Sequence, residues 1–257
     1  MTQSLAIQVH RADPSMRSLR AAIDRADEWQ RVYNRVVSEE SSIVGGRILD
    51  IGAGVHPPTL DLIREPMTRA AQWDGVEPDP DVKDHPLLNQ RWVGLLEQRI
   101  DDIPQAAYDA AFECFVVEHV SDPRAHLTAI ARVLKPGAAL FGYTPNWTHP
   151  FAMMSRAIEL IGFKRWFVKH GTSEVNDYPA YYRLNTPARL ARAARGLGYE
   201  RLDVWYVPSA HWRLHFPMPL RLAPLAYEAV LGTKVSSLNQ MLLFRLRKAG
   251  PAPDRAR

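Results

Sequence analysis

Apolar residues along this chain recur in two rhythms, and the changes from one to the other mark its elements. In "SMRSLRAAIDRADEWQRVYNRVV", Leu19, Ile23, Ala26, Val32, Tyr33 and Val36 fall near one face at helical spacing, so residues 1–44 read as a helical cap. The rhythm then shortens. "RILDIG" is a compact apolar run ending in Asp-x-Gly, as a buried strand does when it enters a tight turn. "QWDGVEPD", "NQRWVGLL", "AYDAAFECFVVEHV", "AALFGYTP", "ERLDVWYVP" and "LNQMLLFRLRK" are six further strands. Helices are expected between them, from Pro58 in "PTLDLIREPM", in "DPRAHLTAIARVLKPG" with Asp122 as cap and Gly137 as terminator, and in "TPARLARAARGLGY".

Strands and helices that alternate in this way form βαβ units around a mostly parallel sheet, and nearly continuous apolar strands agree, since such a sheet is covered on both faces. Two segments break the alternation, residues 147–183 and 208–236, each following a strand and each rich in aromatic residues. Ligands of open α/β sheets bind outside the carboxyl ends of the strands, so both insertions are expected as helical lids. The core domain then runs over 45–248, followed by a short tail, 249–257, expected to be disordered.

Composition narrows the picture. The chain has 257 residues, 46% hydrophobic and 23% charged, and its one cysteine, Cys114, forbids an intrachain disulfide and suits a reducing cytoplasm. No secretory leader is expected, because no apolar stretch follows the first charges, and no run reaches the roughly 18 apolar residues of a spanning helix. The net charge of +4 raises the question of nucleic acid. Arg189, Arg192 and Arg195, however, recur at helical spacing opposite Leu190, Ala194 and Leu197, the pattern of a solvated helix face, and no nucleic-acid signature accompanies them. A cytoplasmic protein with a small-molecule partner is expected; the oligomeric state is left open.

The candidate chemistry begins at "ILDIGAGVHPP". Gly52 and Gly54 follow the first of these strands directly, where glycine lets the backbone turn sharply and approach a ligand. Position 57 is proline, so G-x-G-x-x-G is not completed, and the Gly-Lys-Ser/Thr end of a P-loop is missing. Asp50 at the mouth of the loop would repel a pyrophosphate and attract a cation or an amino group. The ligand should therefore lack phosphate.

"ILDIGAG", "GVEPD", "VVEHVSDP", "ARVLKPGAALFGYTPN" and "LNTPARLARAARGLGYERLDV" follow one another across roughly residues 45–206. In this order they resemble the class I S-adenosylmethionine-dependent methyltransferases, the broad group that includes small-molecule O-methyltransferases. The resemblance implies a Rossmann-like three-layer α/β sandwich, with a seven-stranded, mostly parallel sheet whose last strand is antiparallel. It implies S-adenosyl-L-methionine as cofactor, with Gly52, Ala53 and Gly54 along its methionine part, Asp50 near its amino group and Glu77 accepting from its two ribose hydroxyls. Glu118 would lie beside it. The family often has an acid after the third strand for the adenine amino group; here leucines stand in "VGLLEQRIDDIP", leaving Glu97 or Asp101 as substitutes. His56 with Pro57 and Pro58 also departs from the family's small residues, and either stiffens the loop or closes the pocket.

For a hydroxyl acceptor a base is needed near the methyl, and His119 and His149 are the candidates. His119 has a second reading, in which it fixes its loop. Asn146, Trp147 and Tyr182 are candidates to meet the acceptor, which the surrounding aromatics suggest is apolar, aromatic or glycosidic. No metal is expected: His211 and His215 have i, i+4 spacing, but lie between Pro208 and Pro217 with no third ligand type nearby. The amphipathic second insertion leaves room for contact with a membrane surface. Two competing readings stay open, a protein that keeps the cofactor fold without the chemistry and a nicotinamide-dependent oxidoreductase. Turnover on any acceptor would exclude the first, and titration with a nicotinamide cofactor discriminates the second.

Overall fold

The structure is a computed structural model that describes residues 5–10, 28–54, 69–82, 87–160, 178–207, 222–227, 230 and 235–251. One sheet holds eight strands: β1 (Ala6–His10), β2 (Arg47–Ile51), β3 (Gln72–Glu77), β4 (Gln90–Val93), β5 (Tyr108–Cys114), β6 (Leu134–Pro145), β7 (Tyr199–Val207) and β8 (Met241–Lys248). Their spatial order is β1-β7-β8-β6-β5-β2-β3-β4. All neighbours are parallel except β8, which runs antiparallel to both β6 and β7. The described helices are α1 (Glu28–Ser38), α2 (Leu96–Arg99), α3 (Pro123–Val133), α4 (Pro150–Leu160), α5 (Pro187–Ala194) and α6 (Leu222–Tyr227).

Alternate residues of the central strands bury on opposite faces, as the two-residue period of a strand requires. Leu49, Ala111, Leu140 and Leu242 meet Leu127 and Ile130 of α3 and Leu190 of α5. Ile48, Phe112, Phe141 and Leu243 meet Tyr33, Val36 and Val37 of α1. The result is the expected three-layer sandwich. Strand order reverses at β2, which has β3 on one side and β5 on the other, and the ligand crevice of an open α/β sheet lies at such a switch point, here outside the carboxyl ends of β2 and β5.

Local signals set the helix starts. The Asp122 carboxylate accepts from the backbone N–H groups of Arg124 and Ala125, with Pro123 in the first turn of α3, and Thr186 accepts from Arg189 N–H at the start of α5. α3 ends sooner than its sequence predicts. Leu134 already pairs with Tyr108 in the sheet, so Gly137, with φ +82°, lies inside β6 and not at the helix end.

The sequence reading missed one strand. Residues Ala6–His10 fall within the expected helical cap but form β1, an eighth strand running parallel to β7 from Ala6↔Arg201 to His10↔Trp205. Two β-branched residues, Ile7 and Val9, alternate with Gln8 and His10, a period that suits a strand. The contacts that hold it come from far along the chain: the His10 ring stacks on Trp205 at 4.4 Å and its Nε2 lies 3.3 Å from Asp203. Outside the described residues lie His56-Pro57-Pro58, the helix expected from Pro58, Trp166, Phe167, His170, Glu174, Asp177, Trp212, Phe216, the His211/His215 pair and residues 252–257.

Candidate active site

The crevice is built from the turn after β2. Gly52 (φ +72°) and Gly54 (φ +58°) both hold the left-handed backbone that glycine adopts without strain. A Cβ on Gly52 would stand 2.5 Å from a Val116 methyl, so no side chain fits between this turn and the segment after β5. The N–H groups of Gly52 and Ala53 donate to the Val76 carbonyl at 2.7 and 3.2 Å, which ties the turn to the end of β3. Gly54 N–H donates to Oε2 of Glu77 at 2.8 Å, and Asp79 N–H donates to Oε1 at 3.0 Å.

Glu77 is thus a buried carboxylate at the carboxyl end of β3 whose two oxygens each accept one backbone N–H. A carboxylate offers about four acceptor positions, so capacity remains on both oxygens for a pair of hydroxyls. Asp50, also buried, lies on β2 in register with Gly75 and Phe112. Two buried acids and a turn too tight for a side chain fit a phosphate-free adenosyl ligand carrying an amino group and a ribose diol. They would not fit a pyrophosphate.

These geometric features agree with the family relationships of the chain. Residues 21–202 match the family model described as "Methyltransferase domain". The chain belongs to the S-adenosylmethionine-dependent methyltransferases. Over 186 residues it is 30% identical to a ubiquinone biosynthesis O-methyltransferase of Xanthomonas oryzae pv. oryzae, covering 69% of this chain and 72% of that protein. A protein of the same name from Cereibacter sphaeroides is 32% identical over 180 residues, covering 66% of this chain and 67% of its own length. A crystal structure of an S-adenosylmethionine-dependent methyltransferase from Archaeoglobus fulgidus shares the fold, with a TM-score of 0.52 over 87% of this chain and 94% of that one at 15% identity. The methyltransferase is therefore an enzyme that uses S-adenosyl-L-methionine to methylate a small-molecule acceptor.

After β5 the methyltransferase carries Glu118, expected beside the cofactor, in a single 3-10 turn over Val117–His119. Its side chain is buried, and Oε2 accepts from the Thr144 hydroxyl at 2.8 Å. Burial pushes its carboxyl up to about 7, with the hydrogen bonds pulling the other way and the Glu113 charge adding to the rise. The Glu118 carbonyl accepts the N–H groups of Tyr181 and Tyr182 at 2.6 and 3.0 Å, so residues 178–182 form a strap pinned beside the end of β5. Tyr178, in the same strap, has its hydroxyl pKa raised by partial burial and then by the charges of Glu77 and Asp79.

The remaining predicted residues divide. His119 is half-buried, and its Nδ1 donates to the Pro179 carbonyl at 3.1 Å while its ring meets Tyr178 edge-on, so the described contacts give it the loop-fixing job. His149 is fully buried at the start of α4, where Nδ1 accepts from Phe151 N–H at 3.1 Å. Helix capping occupies the nitrogen that a base would need. Asn146 is a buried brace: its Nδ2 donates to the carbonyls of Ser237 and Asn239, and its Oδ1 accepts from Thr148. The Trp147 and Tyr182 ring centroids are 5.0 Å apart, and the Arg189 guanidinium lies over the Trp147 ring, 5.5 Å from its centroid.

Glu97, in α2, is engaged by His126 at 3.6 Å. Burial alone would raise its carboxyl, but the bonds from His126 and its own backbone outweigh this and hold it below the usual range. His126 in turn donates from Nε2 to Oε2 of Glu113 at 2.9 Å. Among the described residues no group of three or more His, Cys, Asp or Glu could hold a metal ion.

Two residues of the crevice region escaped sequence reasoning. Tyr33 of α1 buries a hydroxyl that has no hydrogen-bond partner among the described residues. Phe115, the residue after β5, has φ +57° and is well exposed. A bulky aromatic at the end of an apolar strand was the available signal for Phe115. Its backbone conformation was not readable.

Proposed function

We propose that, of the apolar, aromatic and glycosidic acceptors expected, the substrate is a phenol, which Trp147 and Tyr182 would pack against, that methyl goes to its hydroxyl oxygen, and that Glu118 takes the hydroxyl proton. The observation that carries this reading is the Glu118 carboxylate, buried at the carboxyl end of the sheet and raised to about 7. A base of that strength is half-deprotonated near neutral pH, where transfer to oxygen needs a proton acceptor and transfer to an amine does not. The name of the 30% identical relative supports the choice of oxygen. When bound, the cofactor would supply an activated methyl group for the acceptor oxygen, the electron pair of its carbon–sulfur bond remaining with sulfur. Glu77 would hold the ribose diol, the Gly52–Gly54 turn and Asp50 the methionine end, and Glu97 the adenine amino group. Trp147, after β6, and Tyr182, in the strap, would bound the acceptor side.

Contact with a membrane surface is part of the proposal. Among the described residues no helix is long and apolar enough to cross a membrane, yet Leu222, at the start of α6, is 62% exposed, and Val230 and Val235 are exposed nearby in sequence. Flotation of the enzyme with anionic liposomes tests this, and an empty lipid fraction would remove it. Action in the cytoplasm accords with a single, buried cysteine.

The chemistry is tested by methyl transfer from labelled cofactor to a panel of catechols, phenols and amines, followed across pH. The expected product is an aryl methyl ether, with kcat rising as Glu118 loses its proton through about pH 7 and then levelling. Glu118→Gln should lower kcat by about 10²- to 10⁴-fold and abolish that rise. Methylation confined to amines, or a Glu118→Gln enzyme with the wild-type profile, would refute the assignment.

A further inference from the structure

Phe115 combines two features that a chain does not maintain for stability. A bulky side chain with φ +57° sits in left-handed backbone that costs free energy in any residue with a Cβ, and such residues cluster at ligand sites. Its ring is also 41% exposed, in the middle of the carboxyl edge of the sheet rather than at its periphery. Glycine or asparagine would satisfy this backbone at lower cost.

The surroundings fix where the ring stands. Ile51 of β2 is in register with Glu113, and Cys114 with Tyr143 of β6, so Phe115 is the first residue beyond the paired end of β5. Its N–H donates to the Tyr143 carbonyl at 2.8 Å, and its ring meets the Tyr143 ring edge to face, with centroids 5.4 Å apart at 90°. The next residue, Val116, is the one that closes on Gly52. Glu118 lies one turn further on, its carbonyl pinning Tyr181 and Tyr182. Phe115 therefore leaves the carboxyl end of β5 one residue before the contact with the Gly52 turn and three residues before Glu118, with its ring set against Tyr143.

We propose that Phe115 is the acceptor-binding wall of this methyltransferase: its ring packs against the plane of an aromatic acceptor and sets the angle at which the hydroxyl oxygen meets the methyl. This rests on the phenolic acceptor proposed above. The strained backbone turns the chain out of β5 at the carboxyl edge, next to the residue that closes on Gly52, and leaves the Phe115 side chain exposed there. An aliphatic acceptor would gain apolar contact from it but no ring-on-ring orientation.

The test compares the wild type with Phe115→Gly, Phe115→Tyr and Phe115→Leu in three measurements: thermal unfolding, calorimetric binding of S-adenosylhomocysteine, and methylation of an alkyl-substituted catechol. Phe115→Gly should melt no lower than the wild type, because glycine relieves the backbone, and should bind S-adenosylhomocysteine within about twofold. Its kcat/KM for the catechol should fall by about 10- to 100-fold, mostly through KM, as expected when orientation at the reacting centre is lost. Phe115→Tyr should restore most of the loss and Phe115→Leu little, a split that a merely structural role would not produce. Phe115→Gly with wild-type kcat/KM overturns the inference and leaves the phenolic reading standing. Weakened S-adenosylhomocysteine binding equal to the loss in kcat/KM also overturns it, since the ring would then serve the cofactor. A wild type that methylates amines and none of the catechols overturns the phenolic reading and takes this role of Phe115 with it.

Discussion

Replacing His126 by glutamine tests whether the buried ion pair behind the active site holds the fold together. His126 and Glu113 are almost wholly buried and 2.9 Å apart, and Oε1 of Glu113 has no other hydrogen-bond partner among the described residues. Burial by itself would lower the imidazole pKa, but the Glu113 hydrogen bond and charge, then those of Glu97, raise it from 6.5 to about 9. The folded chain therefore holds this proton more tightly than the unfolded chain. The stabilisation is complete below about pH 6.5 and is lost as pH rises through about 9. At about 1.4 kcal/mol per pKa unit, the rise corresponds to about 3 kcal/mol. Breaking one partner of a buried pair typically costs about 3–5 kcal/mol, so the two routes agree. Guanidinium unfolding of wild type and His126→Gln, from about pH 6 to about pH 9.5, should show a stability gap of about 3 kcal/mol at the acid end that closes toward the alkaline end. Adding Glu113→Gln to His126→Gln should recover much of the loss, because a neutral pair leaves no buried charge without a partner. A gap that stays constant across this range would refute the linkage argument.

Three further outcomes follow from the site. Glu77→Ala should weaken S-adenosylhomocysteine binding by at least about 100-fold in calorimetry, since two hydroxyl bonds to a charged group, each worth about 1.5–3 kcal/mol, are lost together with the tie to Gly54 N–H. Gly52→Ala should destabilise the fold by about 1–3 kcal/mol in chemical unfolding and remove cofactor binding, because its methyl would meet Val116 in a backbone with φ +72°; a variant that binds normally would refute the tight-turn argument. Tyr33→Phe should leave stability unchanged or raise it by up to about 1 kcal/mol, because it deletes a buried hydroxyl with no partner among the described residues. A large loss on thermal unfolding would mean that this hydroxyl is bonded.

The turn after β2 and the acid that ends β3 were legible because their signals are short-range. A strand entering Asp-x-Gly-x-Gly demands left-handed backbone within a few residues, and Gly52 and Gly54 adopt it. An acid closing the next apolar run falls at the carboxyl end of the neighbouring strand, where Glu77 stands. Asp122 and Thr186 cap the helices that follow them for the same local reason. Periodicity and turn chemistry thus determined the α/β class, most of the strands and the phosphate-free character of the ligand.

Tertiary structure decided which side chains face one another. Asn146 and His149 are polar residues after a strand, a pattern that reads as chemistry, yet packing buries both and turns their polar atoms into braces and caps. β1 forms only because β7, nearly two hundred residues later, offers it a parallel edge. His126 and Glu113 lie 13 residues apart, on a helix and a strand, and meet only when α3 packs back on the sheet. Phe115 took its exposed, strained position from the register of β5 between β2 and β6. Local backbone preference acts over a few residues and is written in the sequence, whereas burial and register are properties of the assembled sheet.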